Sequence, residues 1–153
     1  MVRRIVFSLL VLAAVIVPMA PASASTTHTY TTTFFTTSSY ACRFGCRTDY
    51  GPTYGPDFSH GRIAISMTVE DCYLSGTVVL DDSKGDSITA SYYAVATDFA
   101  DVGGLRVNLT ITGGTGAYTG ATGDGKVTSV GDAYCNRLPN KLTGTVDLNV
   151  TVP

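Results

Sequence analysis

Lys141-Leu142-Thr143-Gly144-Thr145-Val146-Asp147-Leu148-Asn149-Val150-Thr151-Val152 alternates from end to end, with Leu142, Gly144, Val146, Leu148, Val150 and Val152 set against polar neighbours. A period of two sends successive side chains to opposite faces, so this is a strand buried on one side. The same alternation recurs in Ile63-Ala64-Ile65-Ser66-Met67-Thr68-Val69-Glu70 and in Val107-Asn108-Leu109-Thr110-Ile111-Thr112. Further strands are expected at Thr29 to Thr37, Tyr73 to Leu80, Ser87 to Thr97 and Lys126 to Val130. Turn-forming residues separate them: Asp81 to Asp86, Asp101 to Gly104, Gly113 to Gly116 and Leu138 to Asn140. No stretch carries a helical period over ten or more residues. Seven or eight short strands with turns between them predict an all-β domain, a barrel or a sandwich.

Residues 38 to 60 break the pattern with Tyr40, Cys42, Phe44, Cys46, Tyr50-Gly51-Pro52, Tyr54-Gly55-Pro56 and Phe58. Proline has no amide hydrogen for a ladder, so the repeated Tyr-Gly-Pro step argues against a central strand. A long loop is expected here, either an aromatic lid over a barrel mouth or a surface loop tied down by disulfides.

Arg3 and Arg4, the apolar run Ile5 to Val17 and the small residues Ala22-Ser23-Ala24 predict a secretory signal peptide cut after Ala24, with Sec export of the rest. No later segment is apolar enough to anchor the chain in a membrane. The organisation expected is residues 1–24 as signal, 25–60 as a Thr- and aromatic-rich N-terminal strand with the cysteine loop, and 61–153 as the remainder of one barrel domain. The mature part would retain 129 of the 153 residues, eight of the 10 basic ones and all 12 acidic ones, for a net charge of −4. Such a domain has no electrostatic reason to bind nucleic acid.

Cys42, Cys46, Cys72 and Cys135 all fall in the exported part, where an even number implies disulfides. Their spacing lacks the paired knuckles of a zinc site. Three connectivities satisfy four cysteines. The two that join Cys42 and Cys46 to Cys72 and Cys135 are favoured over the third, pinning the N-terminal segment to the sheet; a long-range bridge contributes about 4 kcal/mol in the chain-entropy model.

Candidate chemical motifs dissolve on inspection. Gly120-Ala121-Thr122-Gly123-Asp124-Gly125-Lys126 fits the outline of a phosphate loop, but Val127 replaces the magnesium-binding hydroxyl and a strand follows where a helix is required. Asp57, Ser59 and His60 lack a nucleophile elbow. His28 is expected to be disordered near the mature N-terminus. Glu70, Asp71, Asp98 and Asp101 cluster at strand ends, and Asp81, Asp82 and Asp86 do not match an EF-hand loop. No metal site, cofactor or catalytic residue is expected from these.

Ile111-Thr112-Gly113-Gly114-Thr115-Gly116-Ala117-Tyr118-Thr119-Gly120-Ala121-Thr122-Gly123 resembles the glycine-rich signature near the C-terminal end of dirigent and allene oxide cyclase-like barrels, and similar stretches occur in secreted actinobacterial proteins. The resemblance is specific over these residues and extends by strand count over about Gly61 to Val152. It implies an eight-stranded antiparallel barrel with an apolar interior that binds or steers a small hydrophobic molecule without a cofactor. The polar residues that carry the chemistry of the plant enzymes find no match, and the cysteine loop departs from the family pattern.

Two readings follow. In the first, the barrel takes up an apolar small molecule, with Tyr92, Tyr93, Phe99 and Tyr118 at its mouth or lining, and Tyr118→Ala weakens ligand retention more than it lowers thermal stability. In the second, the barrel is filled solid, and Tyr30, Phe34, Phe35 and Tyr40 meet another protein, a glycan or a second copy of the chain.

Overall fold

The computed structural model describes residues 24–41, 46–71, 73–95, 106–130 and 141–153, with the side chains of 38–41 excepted. Eight strands follow one another: β1 (Thr26–Ala41), β2 (Cys46–Tyr54), β3 (Arg62–Glu70), β4 (Tyr73–Asp81), β5 (Ser87–Val95), β6 (Arg106–Gly114), β7 (Thr122–Val130) and β8 (Lys141–Val152). A single 3-10 turn, Gly116–Tyr118, links β6 to β7. Each strand pairs antiparallel with the next, and β8 returns to β1 from Thr26↔Val152 to Thr37↔Lys141. That last ladder closes the sheet into a barrel and removes the sandwich alternative.

Closure gives the alternation its meaning. Ile63, Ile65, Leu74, Val78, Leu80, Ile88, Val127, Val146 and Val150 all point inward and are almost wholly buried. Each such side chain contributes roughly 1.5–3 kcal/mol of transfer free energy. Their outward neighbours on β1 and β8 are threonines, Asp147 and Asn149, whose side chains bond across the ladder, Thr31 to Asp147 at 2.9 Å and Thr29 to Asn149 at 3.2 Å. The resemblance stretch is indeed a turn, with positive φ at Gly113, Gly116 and Gly120.

The N-terminal part corrects the sequence reading in two places. His28 is not disordered; it pairs with Val150 in β1 and its ring lies 6.0 Å from that of Tyr30. Nor is 38–60 one long loop, because β1 runs to Ala41 and β2 passes straight through Pro52. The ladder between β1 and β2 steps from Thr37↔Tyr50 to Phe34↔Thr53, so the proline falls where β1 offers no register partner. Gly51 is what lets β1 lie so near, since a Cβ there would stand 1.8 Å from the Phe35 carbonyl oxygen. The second Tyr-Gly-Pro step does turn, with Gly55 at φ 134.

Candidate functional site

Antiparallel order sorts the connections between two ends. The turns 55–61, 82–86 and 115–121 lie at one end, and the strand ends Ala41, Cys46, Glu70, Tyr73, Val95, Arg106, Val130 and Lys141 at the other, here called the mouth. The far end is plugged by aromatic rings. Phe58 and Tyr118 stack at 6.2 Å, and both meet Tyr30 edge-on at 5.6 and 6.1 Å. Burial, with the charges of Tyr30, Asp82, Asp86 and Asp57 behind it, pushes the Tyr118 hydroxyl up to about 12. Desolvation likewise raises Tyr30.

The mouth half has a different lining. Arg47 and Asp49 are two residues apart on β2, so both project inward, where they are 7% and 0% exposed. Nε and Nη2 of Arg47 donate to the two carboxylate oxygens of Asp49, the bidentate geometry that a planar guanidinium allows. Across the interior, Tyr92 of β5 donates its hydroxyl to the Ser66 carbonyl at 2.9 Å. Gly76 on β4, its register partner, makes that reach possible: a Cβ at 76 would lie 1.8 Å from the Ser66 oxygen and 2.9 Å from the Tyr92 hydroxyl. Burial raises the Tyr92 pKa strongly and the Asp49 charge adds to it, so the hydroxyl keeps its proton through the ordinary pH range.

Two more hydroxyls complete the set. Thr36 near the end of β1 and Ser129 near the end of β7 are 0% and 4% exposed, and neither side-chain oxygen has a hydrogen-bond partner among the described residues. The contrast with the far half is sharp. There the buried Thr32 hydroxyl bonds the Tyr54 carbonyl at 2.9 Å and the Thr53 hydroxyl bonds the Phe58 carbonyl at 2.7 Å. Register places Ser129 opposite Gly144, and Gly144 opposite Phe34, one inward position from Thr36. Four consecutive wall strands, β7, β8, β1 and β2, therefore carry Ser129, Gly144, Thr36 and the Arg47–Asp49 pair. The facing wall, β3 to β6, offers Ile65, Met67, Leu74, Val107 and Leu109 around Tyr92. The interior at this height is apolar on one side and polar on the other. Such a lining can hold an apolar body while giving an oxygen-bearing group a cation and two hydroxyls that have no other partner among the described residues.

The four aromatic residues named from sequence scatter. Tyr92 faces the interior, Tyr118 belongs to the far-end plug, and Phe99 lies outside the described residues. Tyr93 points outward, 65% exposed, with its ring stacked on Tyr73 at 5.6 Å. The alternative patch scatters too: Phe34 is buried, Tyr30 is half-buried, Phe35 is the one on the outer face, and the Tyr40 side chain lies outside the described residues. Arg47 and Asp49 escape the sequence reading because 38–60 reads as loop, and their signal is the inward alternation Arg47, Asp49, Gly51, Thr53; Thr36 and Ser129 fall in strands that the sequence does predict, but nothing in it marks their hydroxyls as lacking partners. Asp82 holds its own turn, accepting from the Lys84 and Asp86 amides at 2.7 and 3.0 Å, and Asp57 accepts from the Thr31 amide at 3.0 Å. Cys46 is half-buried at the start of β2, no described cysteine is free, and Cys42, Cys72 and Cys135 lie outside the described residues.

No protein-family model matches the chain, and no curated protein matches it. Among solved structures it is similar to the pterocarpan synthase dirigent protein GePTS1, with a TM-score of 0.58 at 14% identity, over 84% of this chain and 86% of that one. At that identity the likeness is one of fold, and it agrees with the barrel that the glycine-rich stretch implies.

Proposed function

We propose that this chain is a secreted, disulfide-stapled barrel that binds a small, largely hydrophobic molecule in the mouth half of its interior, without a cofactor. The molecule's body lies against Ile65, Met67, Leu74 and Leu109, and an oxygen-bearing group meets Thr36, Ser129, Tyr92 and Arg47. The observation that carries this is the pair of buried hydroxyls without partners, since buried polar atoms are otherwise nearly always bonded. The fold shared with a dirigent protein supports it, and steering a bound molecule asks only that the interior hold it in one pose. Cys46 opens β2 at the mouth end, and the described strand ends nearest Cys42 and Cys72 in sequence, Ala41 and Tyr73, lie at that end too, which suits bridges bracing the rim.

The test is native mass spectrometry of the protein purified from its source, followed by binding of a panel of apolar compounds bearing one carbonyl or hydroxyl. A dissociable adduct is expected, lost in Thr36→Val/Ser129→Ala, while the variant unfolds at or above the temperature of the parent. An adduct that survives the double substitution, or a protein that retains nothing, overturns the reading. The filled barrel is the second reading; the aromatic plug of Tyr30, Phe58 and Tyr118 favours it, and it expects no adduct.

A further inference from the structure

The duplicated Tyr-Gly-Pro step does something on the outer surface. Tyr50, Pro52 and Tyr54 occupy alternate positions of β2, so all three face solvent, and the two tyrosines are 52% and 55% exposed. Four residues of strand set their Cα atoms about 13 Å apart in a straight line. Phe35 extends the strip on the neighbouring β1, 38% exposed. Next to Tyr50 in the ladder is the small Ala64, which leaves the ring uncovered.

Tyr50, Pro52 and Tyr54 form one wall of a groove of about 910 Å³, whose rim carries His60, Arg62 and Asp81. That volume lies in the range of small-molecule sites. Arg62 and Asp81 are register partners on β3 and β4, yet they form no ion pair with each other, and the His60, Arg62 and Asp81 side chains have no hydrogen-bond partner among the described residues. His60 is held at φ 64, a left-handed backbone that is unusual for a side-chain-bearing residue.

From this geometry we infer a second binding site, separate from the barrel interior: an external groove for a neutral, extended polysaccharide. Rings presented in a row with about half of each open to solvent suit the C–H faces of sugar rings, which stack on aromatics without needing charge. Hydroxyls at the edges of such a chain find a donor in Arg62, an acceptor in Asp81 and either in His60. One positive and one negative side chain leave the rim near neutral, which fits neither a polyanion nor a polycation. An extended peptide adding as a strand is excluded, because the closed barrel has no open edge. A straight row along one strand suits a flat β-linked chain better than a coiled one.

The test uses the purified folded protein with cellohexaose and chitohexaose in solution and with insoluble cellulose and chitin, amylose serving as the coiled control. Binding to at least one β-linked probe is expected, weakened roughly tenfold by Tyr50→Ala or Tyr54→Ala singly and abolished by both. Tyr50→Phe should retain binding, because the stacking ring remains. Melting temperatures should be unchanged, as both rings are exposed, and uptake of a small molecule by the interior should be unaffected. Failure to bind any β-linked probe overturns the inference, as does undiminished binding by the double alanine variant. A double variant that converts a dimer to a monomer without any sugar binding also overturns it and gives the strip to a second copy of the chain.

Discussion

Replacing Arg47 by Met tests whether the interior ion pair is a structural unit. Asp49 is wholly buried and takes two hydrogen bonds from the guanidinium, so the single substitution strands a carboxylate among Ile65, Met67 and the inner wall. Removing one partner of a buried pair costs about 3–5 kcal/mol, against a total domain stability of roughly 5–15 kcal/mol. Arg47→Met/Asp49→Val removes both charges and puts a β-branched residue in a strand, so most of that loss should return. Guanidinium denaturation at fixed pH measures all four corners of the cycle, with the slope checked for constancy so that midpoints report stability. The expected result is a strongly destabilised single variant and a double variant within about 1–2 kcal/mol of the parent. If the single variant loses less than about 1 kcal/mol, or the two losses simply add, the pair is not the desolvated unit described here. The double variant also separates roles: if it folds stably and no longer retains a small molecule, the charges serve binding rather than the fold.

Gly76→Ala should cost several kcal/mol in thermal unfolding, because its Cβ meets the Ser66 carbonyl at 1.8 Å, whereas Gly85→Ala, with φ 90 and nothing within 4 Å, should cost only about 1–2 kcal/mol of backbone strain. Stability should fall between pH 10 and about 12 as Tyr118 ionises: its folded pKa lies above the unfolded value, so the contribution is whole below pH 10 and lost above. Tyr118→Phe should flatten that decline, read as denaturation midpoints at pH 9 and 11. Tyr92→Phe removes the bond to the Ser66 carbonyl and should cost about 0.5–1.5 kcal/mol in the same assay. Intact mass should lie about four hydrogens below the reduced value for two bridges, and thiol reduction should lower the unfolding temperature.

The barrel was legible wherever period two ran through residues of clearly different polarity. Leu142 to Val152 and Ile63 to Val69 face inward as their alternation requires, and β7 needed only to be extended back to Thr122. Legibility failed at β2, where proline counts against a strand and charged residues count against an interior face. Both rules hold on average, and both yield here to local structure. Pro52 sits at a gap in the β1 ladder, and the charges of Arg47 and Asp49 satisfy each other. The partnerless hydroxyls of Thr36 and Ser129 were beyond sequence altogether, because threonine and serine at inward positions look the same whether or not a carbonyl is in reach. Thr32 and Thr53 show the other outcome on the same two strands that hold Thr36 and Asp49.

The two proposed sites share the strand that sequence alone reads as a loop. Arg47, Asp49 and Thr53 point into the barrel, and Tyr50, Pro52 and Tyr54 point out of it, so nine consecutive residues carry an interior polar wall and an exterior aromatic strip. Their separation depends only on the parity of the strand, and a one-residue slip would exchange the two sets, burying tyrosines and exposing the ion pair. What resists the slip is register fixed on both sides: Arg47↔Met67 and Asp49↔Ile65 on β3, and Thr33↔Tyr54 and Phe34↔Thr53 on β1. Gly51 adds a positional constraint, since it alone in β2 tolerates the Phe35 carbonyl at that distance. Substitutions on one face of β2 should therefore leave the other face's ligand untouched, provided that Gly51 stays in place. Gly51→Ala is the exception, because it acts on the register itself, and it should impair interior retention and surface binding together.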